Sequence, residues 1–391
     1  MRLFFRLTLV FSLLTSLLPA RAAIPIAGTL CPKLGQQQIT SGYKYTCVRS
    51  GKKIVWSNGV KVSTPSPKPS PTPSTLAEYL RVKLLAYKNI REAMSAGNLN
   101  NVNLVYHISS FFPSDLKKLY MKQVEEASNL YGTFFTKKET MNIYMYTEKD
   151  IDYLKSEVLF SHNIAEFQTW FDAWKKGQDR EHNLGLVAGY FEYPNLGDWV
   201  GQAGVLVFSG ANTSSLRKYA IQVMPHEYFH VVQDYYLQGQ GVVKFTDEAS
   251  KERLSPLTFR EGSANTISFA VASDNATAYL DLYKDFIDSK KVPGAESIFK
   301  TLTNTKNIIA ALNKIETKMA FPEAQEDSYS IGSLLYEWVI AEYGFDAYRK
   351  LIENQNIGST FEENVIASLG ITKDELYAKA APHILAAFTN S

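Results

Sequence analysis

The chain has 391 residues, 45% of them apolar, and 41 basic against 39 acidic side chains leave a net charge of +2. That length and apolar content can fill a sizeable core, which excludes a disordered chain. Balanced charge with no long run of one sign excludes a polyanion-binding surface, so neither nucleic acid nor an anionic membrane is an expected partner.

Residues 1–22, MRLFFRLTLVFSLLTSLLPARA, set Arg2 and Arg6 ahead of an apolar stretch that closes on Ala20-Arg21-Ala22. This is the pattern of a secretory signal peptide, with cleavage expected near Ala22-Ala23 and a secreted, extracellular product. A membrane anchor is the competing reading. The stretch from Leu7 to Leu18 is short for a bilayer and no later segment is long and apolar enough, so stable membrane insertion is not expected.

Residues 23–62 alternate turn formers with aromatic and β-branched residues and hold the two cysteines, Cys31 and Cys47. A small β module closed by one disulfide is expected in an exported chain; a metal pair is the alternative, but no histidine lies nearby. With Cys31, Gly42, Tyr45, Cys47 and Trp56, the segment resembles a short cysteine-paired module at the start of some secreted bacterial proteins. Cell-wall association through it is one role, plain spacing another. Residues 63–75, STPSPKPSPTPST, carry proline at nearly every second position and read as a semi-rigid polyproline spacer.

From 76 to 391 there is neither a second linker nor a fixed repeat. Helical periodicity predicts helices over 76–96 and 114–131. Short β-branched or aromatic runs predict strands at 141–147, 184–192 and 203–210. After Gly262 the periodic segments are helical, including 330–344 and 374–388. The expected fold class is therefore α+β, a mixed α+β lobe (about 76–235) followed by a helical lobe (about 236–391).

Near that junction stands VMPHEYFHVVQDYY, residues 223–236. Positions four apart share a helix face, so His226 and His230 can aim at one point, with Glu227 about 100° round the axis bordering it. Two neutral nitrogens beside a carboxylate suit zinc hydrolysis. The plainer reading is a pair of core histidines satisfied by backbone carbonyls. Burying both rings without a metal, however, leaves several polar atoms in need of partners. Catalytic zinc takes three protein ligands, and Glu261 in FREGSANTIS (259–268), at the predicted start of a helix, is the downstream carboxylate. Asp234 is a poorer third ligand, because three ligands along one helix would spread over roughly 12 Å.

His226-Glu227-x-x-His230, then Asp234-Tyr235, then Glu261-Gly262-Ser263-Ala264 together resemble the gluzincin branch of zinc metallopeptidases, over most of 105–391. The resemblance implies a zincin-like fold with zinc held by His226, His230 and Glu261, and with Glu227 as general base on metal-activated water. It also implies a peptide or protein substrate. Tyr329, in a Tyr-x-x-Gly pattern, resembles the position that donates to the oxyanion, with ordinary packing as the alternative. Metzincins are excluded, since Gln233 and Tyr236 stand where their pattern requires glycine and histidine. Pro225 must open the motif helix or kink a longer one. Asn265 stands where thermolysin-like enzymes carry an aspartate bonded to a zinc histidine. These departures sustain two rivals: a non-catalytic gluzincin-fold protein that binds at a surface, and a zinc hydrolase acting on a non-peptide carbonyl. The run 203–210 can be the edge strand for an extended substrate or a sheet interior. Trp170, Trp174, Trp199 and Trp338 read as core or cleft walls, and His107, His162, His182 and His383 carry no pattern.

Overall fold

The computed structural model of the chain describes residues 27–40, 43–61, 75–97, 101–147, 150, 186–192, 202–209, 214–237, 253–289, 301–316, 327–356 and 360–389. The expected signal segment, nearly all of the 63–75 spacer, Trp170, Trp174, Trp199, His162 and His182 lie outside these residues. Contacts divide the chain into two compact units, Met1–Ser66 and Pro67–Ser391.

In the first unit β2 (Tyr43–Ser50) is central and pairs antiparallel with β1 (Gln37–Thr40), β3 (Lys53–Trp56) and β4 (Val60–Lys61). Ser50 faces Lys53 across a two-residue loop, and Gly51 occupies its left-handed corner at φ +60°. Cys47 pairs across the sheet with Trp56, both buried, and Cys31 is disulfide-bonded to Cys47. Leu30, Leu34, Tyr43 and Val48 stay exposed. So small an apolar core is of the kind that a cross-link stabilises.

The second unit opens with α1 (Leu76–Ser95), whose first turn is capped by Thr75 Oγ1 accepting from the Glu78 N–H. There follow β5 (Val102–Ile108), α2 (Ser114–Tyr131), β6 (Glu139–Thr147), β7 (Leu186–Glu192), β8 (Gln202–Ser209) and α3 (Ser214–Leu237). The sheet order is β5-β6-β8-β7, parallel except for β7, which lies antiparallel on β8. The 203–210 run is therefore an interior strand, and β7 takes the edge among the described strands. After α3 the described elements are helical: α4 (Leu257–Val271), α5 (Ala276–Ser289), α6 (Thr305–Glu316), a π-turn at Ser328–Gly332 running into α7 (Ser333–Tyr343), α8 (Phe345–Glu353), α9 (Phe361–Leu369) and α10 (Lys373–Thr389). The chain is mixed α+β and mostly helical. Among the described residues no helix is long and apolar enough to cross a membrane.

Two departures in this half have local causes. Residues 330–344 begin as a π-turn and not as α-helix, at the point where Gly332 meets another backbone. The helix that carries Glu261 starts at Leu257 behind Pro256, so Glu261 stands in its second turn.

Beneath α1 lies a buried charge network. Lys83 Nζ donates to both carboxylate oxygens of Glu337 on α7 (2.9 and 3.1 Å), Tyr279 Oη donates to Glu337 Oε1 (2.6 Å), and His383 Nε2 on α10 lies 2.9 Å from Oε2. Burial pushes the Lys83 ammonium and the His383 imidazolium below their usual ranges. Burial alone would raise the Glu337 carboxyl, but Lys83 and His383 outweigh it and hold it low. Breaking a buried pair leaves an uncompensated charge, so Lys83→Met should lower the unfolding free energy by about 3–5 kcal/mol in denaturant melts. Adding Glu337→Leu should recover part of that loss, and an unchanged single-mutant midpoint would contradict the pairing.

Candidate metal centre

From Gln222 to Leu237 the residues of α3 are buried or half-buried all round, as for a helix packed on every side. Pro225 sits inside α3, so the proline interrupts a longer helix and does not begin one. It lacks an N–H and cannot bond back to the preceding turn. Tyr131 Oη donates to its carbonyl at 2.7 Å, tying α2 to α3 one residue before the motif. Tyr228 and Phe229 fill the core side against Tyr131, which turns His226 and His230 the other way.

They face α4, whose residues are all buried except Arg260. Thr258 Oγ1 is buried without a hydrogen-bond partner among the described residues, but most other polar side chains of this enclosed helix are bonded, and each bond fixes the chain locally. Thr266 Oγ1 meets the carbonyls of Gly262 and Ser333 (2.9 and 2.8 Å). Asn265 Nδ2 donates to the Tyr329 carbonyl at 3.1 Å. The amide read from sequence as the counterpart of a histidine-orienting aspartate thus holds the π-turn instead. His226 Nδ1 is buried without a hydrogen-bond partner among the described residues.

Backbone contact sets the separation. A Cβ at Gly262 would lie 2.3 Å from Gly332 C, and a Cβ at Gly332 would lie 2.6 Å from the Thr258 carbonyl oxygen. Only glycine fits at this crossing, which brings the Tyr329 ring to 5.6 Å from that of His226.

The sequence-predicted ligands converge. His226 Nε2 lies 3.1 Å from His230 Nε2, and Glu261 Oε2 lies 3.3 Å from each. An ion with bonds of about 2.0–2.1 Å and near-tetrahedral angles needs ligand atoms roughly 3.3 Å apart, so this triangle matches one face of such a shell. His226 and Glu261 are buried, and His230 keeps 17% of its side chain exposed. The group can hold a metal ion. Glu227 is half-buried beside it, near enough for its charge to raise the His230 pKa. Asp234 is not part of the group.

Sequence reasoning used Gln233, one turn beyond His230, only to exclude the metzincin pattern and missed its contact with the ring. Its Oε1 accepts from His230 Nδ1 at 2.7 Å, and its Nε2 donates to Ser263 Oγ and the Arg260 carbonyl (2.7 and 2.9 Å). The i+3 spacing put it on the right face; its partners on α4 carried no local signal. Against known proteins, the chain matches no family model, no curated protein and no solved structure.

Without metal the triangle is an ion pair. Burial would push the Glu261 carboxyl up, but the two facing rings hold it well below the usual carboxylate range. Burial likewise opposes protonation of His230, and Glu261 outweighs it, raising that pKa to about 9. The raised His230 value stabilises the metal-free fold fully below the unfolded pKa of about 6.5 and progressively less as pH climbs through about 9. Metal must displace this proton, so apparent affinity should rise about tenfold per pH unit up to about 9 and then flatten. Chelator-competition titrations across pH check this, and a pH-independent affinity would refute it.

Alanine normally improves a helix interior over glycine by about 1 kcal/mol. At Gly262 the clash reverses the sign. Gly262→Ala should destabilise by about 1–3 kcal/mol and weaken metal binding through displacement of Glu261, as read by thermal melts and metal titration.

Proposed function

We propose that the chain is a zinc-dependent hydrolase of peptide bonds with a gluzincin-type, zincin-like arrangement. The observation that carries this reading is the triangle of His226 Nε2, His230 Nε2 and Glu261 Oε2, with edges of 3.1, 3.3 and 3.3 Å. Two imidazoles and a carboxylate also suit iron(II). Glu227, a further carboxylate on the same helix beside the cluster, favours hydrolysis and therefore zinc.

When bound, the ion supplies Lewis acidity, polarising a carbonyl and acidifying water. The remaining work falls to the chain. His226, His230 and Glu261 bind, and their burial keeps the donors fixed and bulk water limited. Glu227 takes the proton from the attacking water and returns it to the leaving amine. Tyr329, beside His226 on a backbone held by Asn265, is suited to donate a hydrogen bond to the oxygen where negative charge develops. The Cys31–Cys47 bond persists in oxidising surroundings, which supports an exported protein acting on extracellular peptides or proteins.

The non-catalytic rival draws on one feature: His226 Nδ1 has no partner among the described residues, so this ligand lacks the anchoring carboxylate expected in a vigorous enzyme. Glu227→Gln separates the two readings. In an enzyme the variant should bind zinc as the parent does and lose about 10²–10⁴-fold in turnover of a casein-type substrate. A parent that binds zinc but cleaves neither peptides nor esters would leave only the binding role.

A further inference from the structure

Gln233 is buried, and both arms of its amide are engaged. Nε2 lies 2.9 Å from the Arg260 carbonyl oxygen, which can only accept, so the donor end of the amide is fixed by chemistry. Ser263 Oγ accepts from the same nitrogen at 2.7 Å. Oε1 therefore faces His230, and because it too can only accept, His230 Nδ1 at 2.7 Å carries a hydrogen. In the neutral ring the lone pair is left on Nε2, the atom 3.1 Å from His226 Nε2 and 3.3 Å from Glu261 Oε2.

The same side chain spans two helices. Its acceptor serves a ligand on α3, while its donors hold backbone and hydroxyl on α4 at Arg260 and Ser263, which flank Glu261 in sequence. From outside the pair, Gln355 Nε2 donates to the Gln233 carbonyl at 3.1 Å. No comparable group serves His226, whose Nδ1 has no hydrogen-bond partner among the described residues.

We propose that Gln233 is the positioning residue of the metal centre: it selects the His230 tautomer that presents Nε2 and sets the spacing between the histidine helix and the glutamate helix. This role rests on the metal-centre reading and is independent of which bond is hydrolysed. A purely structural glutamine would be replaceable by an isosteric apolar side chain with no effect on the ring. A positioning glutamine would not.

The test uses the full chain as parent, Gln233→Met and Gln233→Glu. Ring-nitrogen NMR of His230, assigned by loss of its signals in His230→Gln, is read without metal in alkaline solution, where the ring is neutral. Zinc affinity is then measured by chelator competition. The parent should show the Nδ1–H tautomer. Gln233→Met should lose that preference and bind zinc about 10–100-fold more weakly. Gln233→Glu still accepts from Nδ1 but sets a second acceptor against the Arg260 carbonyl, so it should keep the Nδ1–H tautomer and still bind zinc more weakly than the parent. An Nε2–H tautomer in the parent overturns the proposal, as does a Gln233→Met chain matching the parent in both readouts, or a Gln233→Glu chain that loses the tautomer or binds zinc as tightly as the parent. Should Gln233→Met not fold, the parent tautomer and the two Gln233→Glu readouts still decide. A parent with the expected tautomer that takes up no zinc overturns the metal-centre reading instead, so the two failures are distinguishable.

Discussion

Backbone contact between Gly262 and Gly332 is the constraint on which the rest of the unit turns. Side chains usually hold helices 8–10 Å apart; here two missing Cβ atoms let the α4 backbone touch the turn that leads into α7. Glu261 precedes the first glycine by one residue, and Tyr329 precedes the second by three. A carboxylate and a phenol from segments 68 residues apart are thus delivered to the histidines of α3 by one steric fact. The π-turn belongs to the same crossing, since its backbone is where Asn265 binds.

The interior around this crossing is unusually polar, and its stability depends on matching. Ser263, Asn265, Thr266 and Ser268 are buried along α4, and each has a hydrogen-bond partner. The Lys83–Glu337–His383 network repeats the logic with full charges, joining α1, α7 and α10. Polar groups buried in this way specify one arrangement of helices, because a sliding or rotated helix would leave donors and acceptors unmatched.

Much of this is written locally, and the rest is not. The i, i+4 spacing of His226 and His230 and the period of α2 follow from helix geometry, and the 114–131 range is recovered to the residue. Glu261 entered as the downstream carboxylate that a third zinc ligand demands and through the gluzincin resemblance, and its convergence on the two rings is a tertiary fact that spacing alone does not contain. Gln233 was read only as a departure from the metzincin pattern and Asn265 only as the counterpart of an aspartate, because a hydrogen bond declares itself only with its partner, and their partners at Arg260, Ser263 and Tyr329 lie on other segments. His383 carried no pattern for the same reason: its partner Glu337 is 46 residues away, and Lys83 is 254 from Glu337. The interior position of β8 was open in the sequence because strand order is set by how β7 folds back, not by the composition of β8 itself.

The near-complete enclosure of α4 has a kinetic corollary. A helix with almost no outward face is in its native surroundings only once its neighbours have closed round it, so a chain with α3 formed and α4 undocked presents the two imidazoles without the Glu261 carboxylate that completes the triangle. Tight capture of a divalent ion would then mark the last docking event of folding. For this chain, competence to bind the ion and completion of the tertiary structure would be nearly the same state.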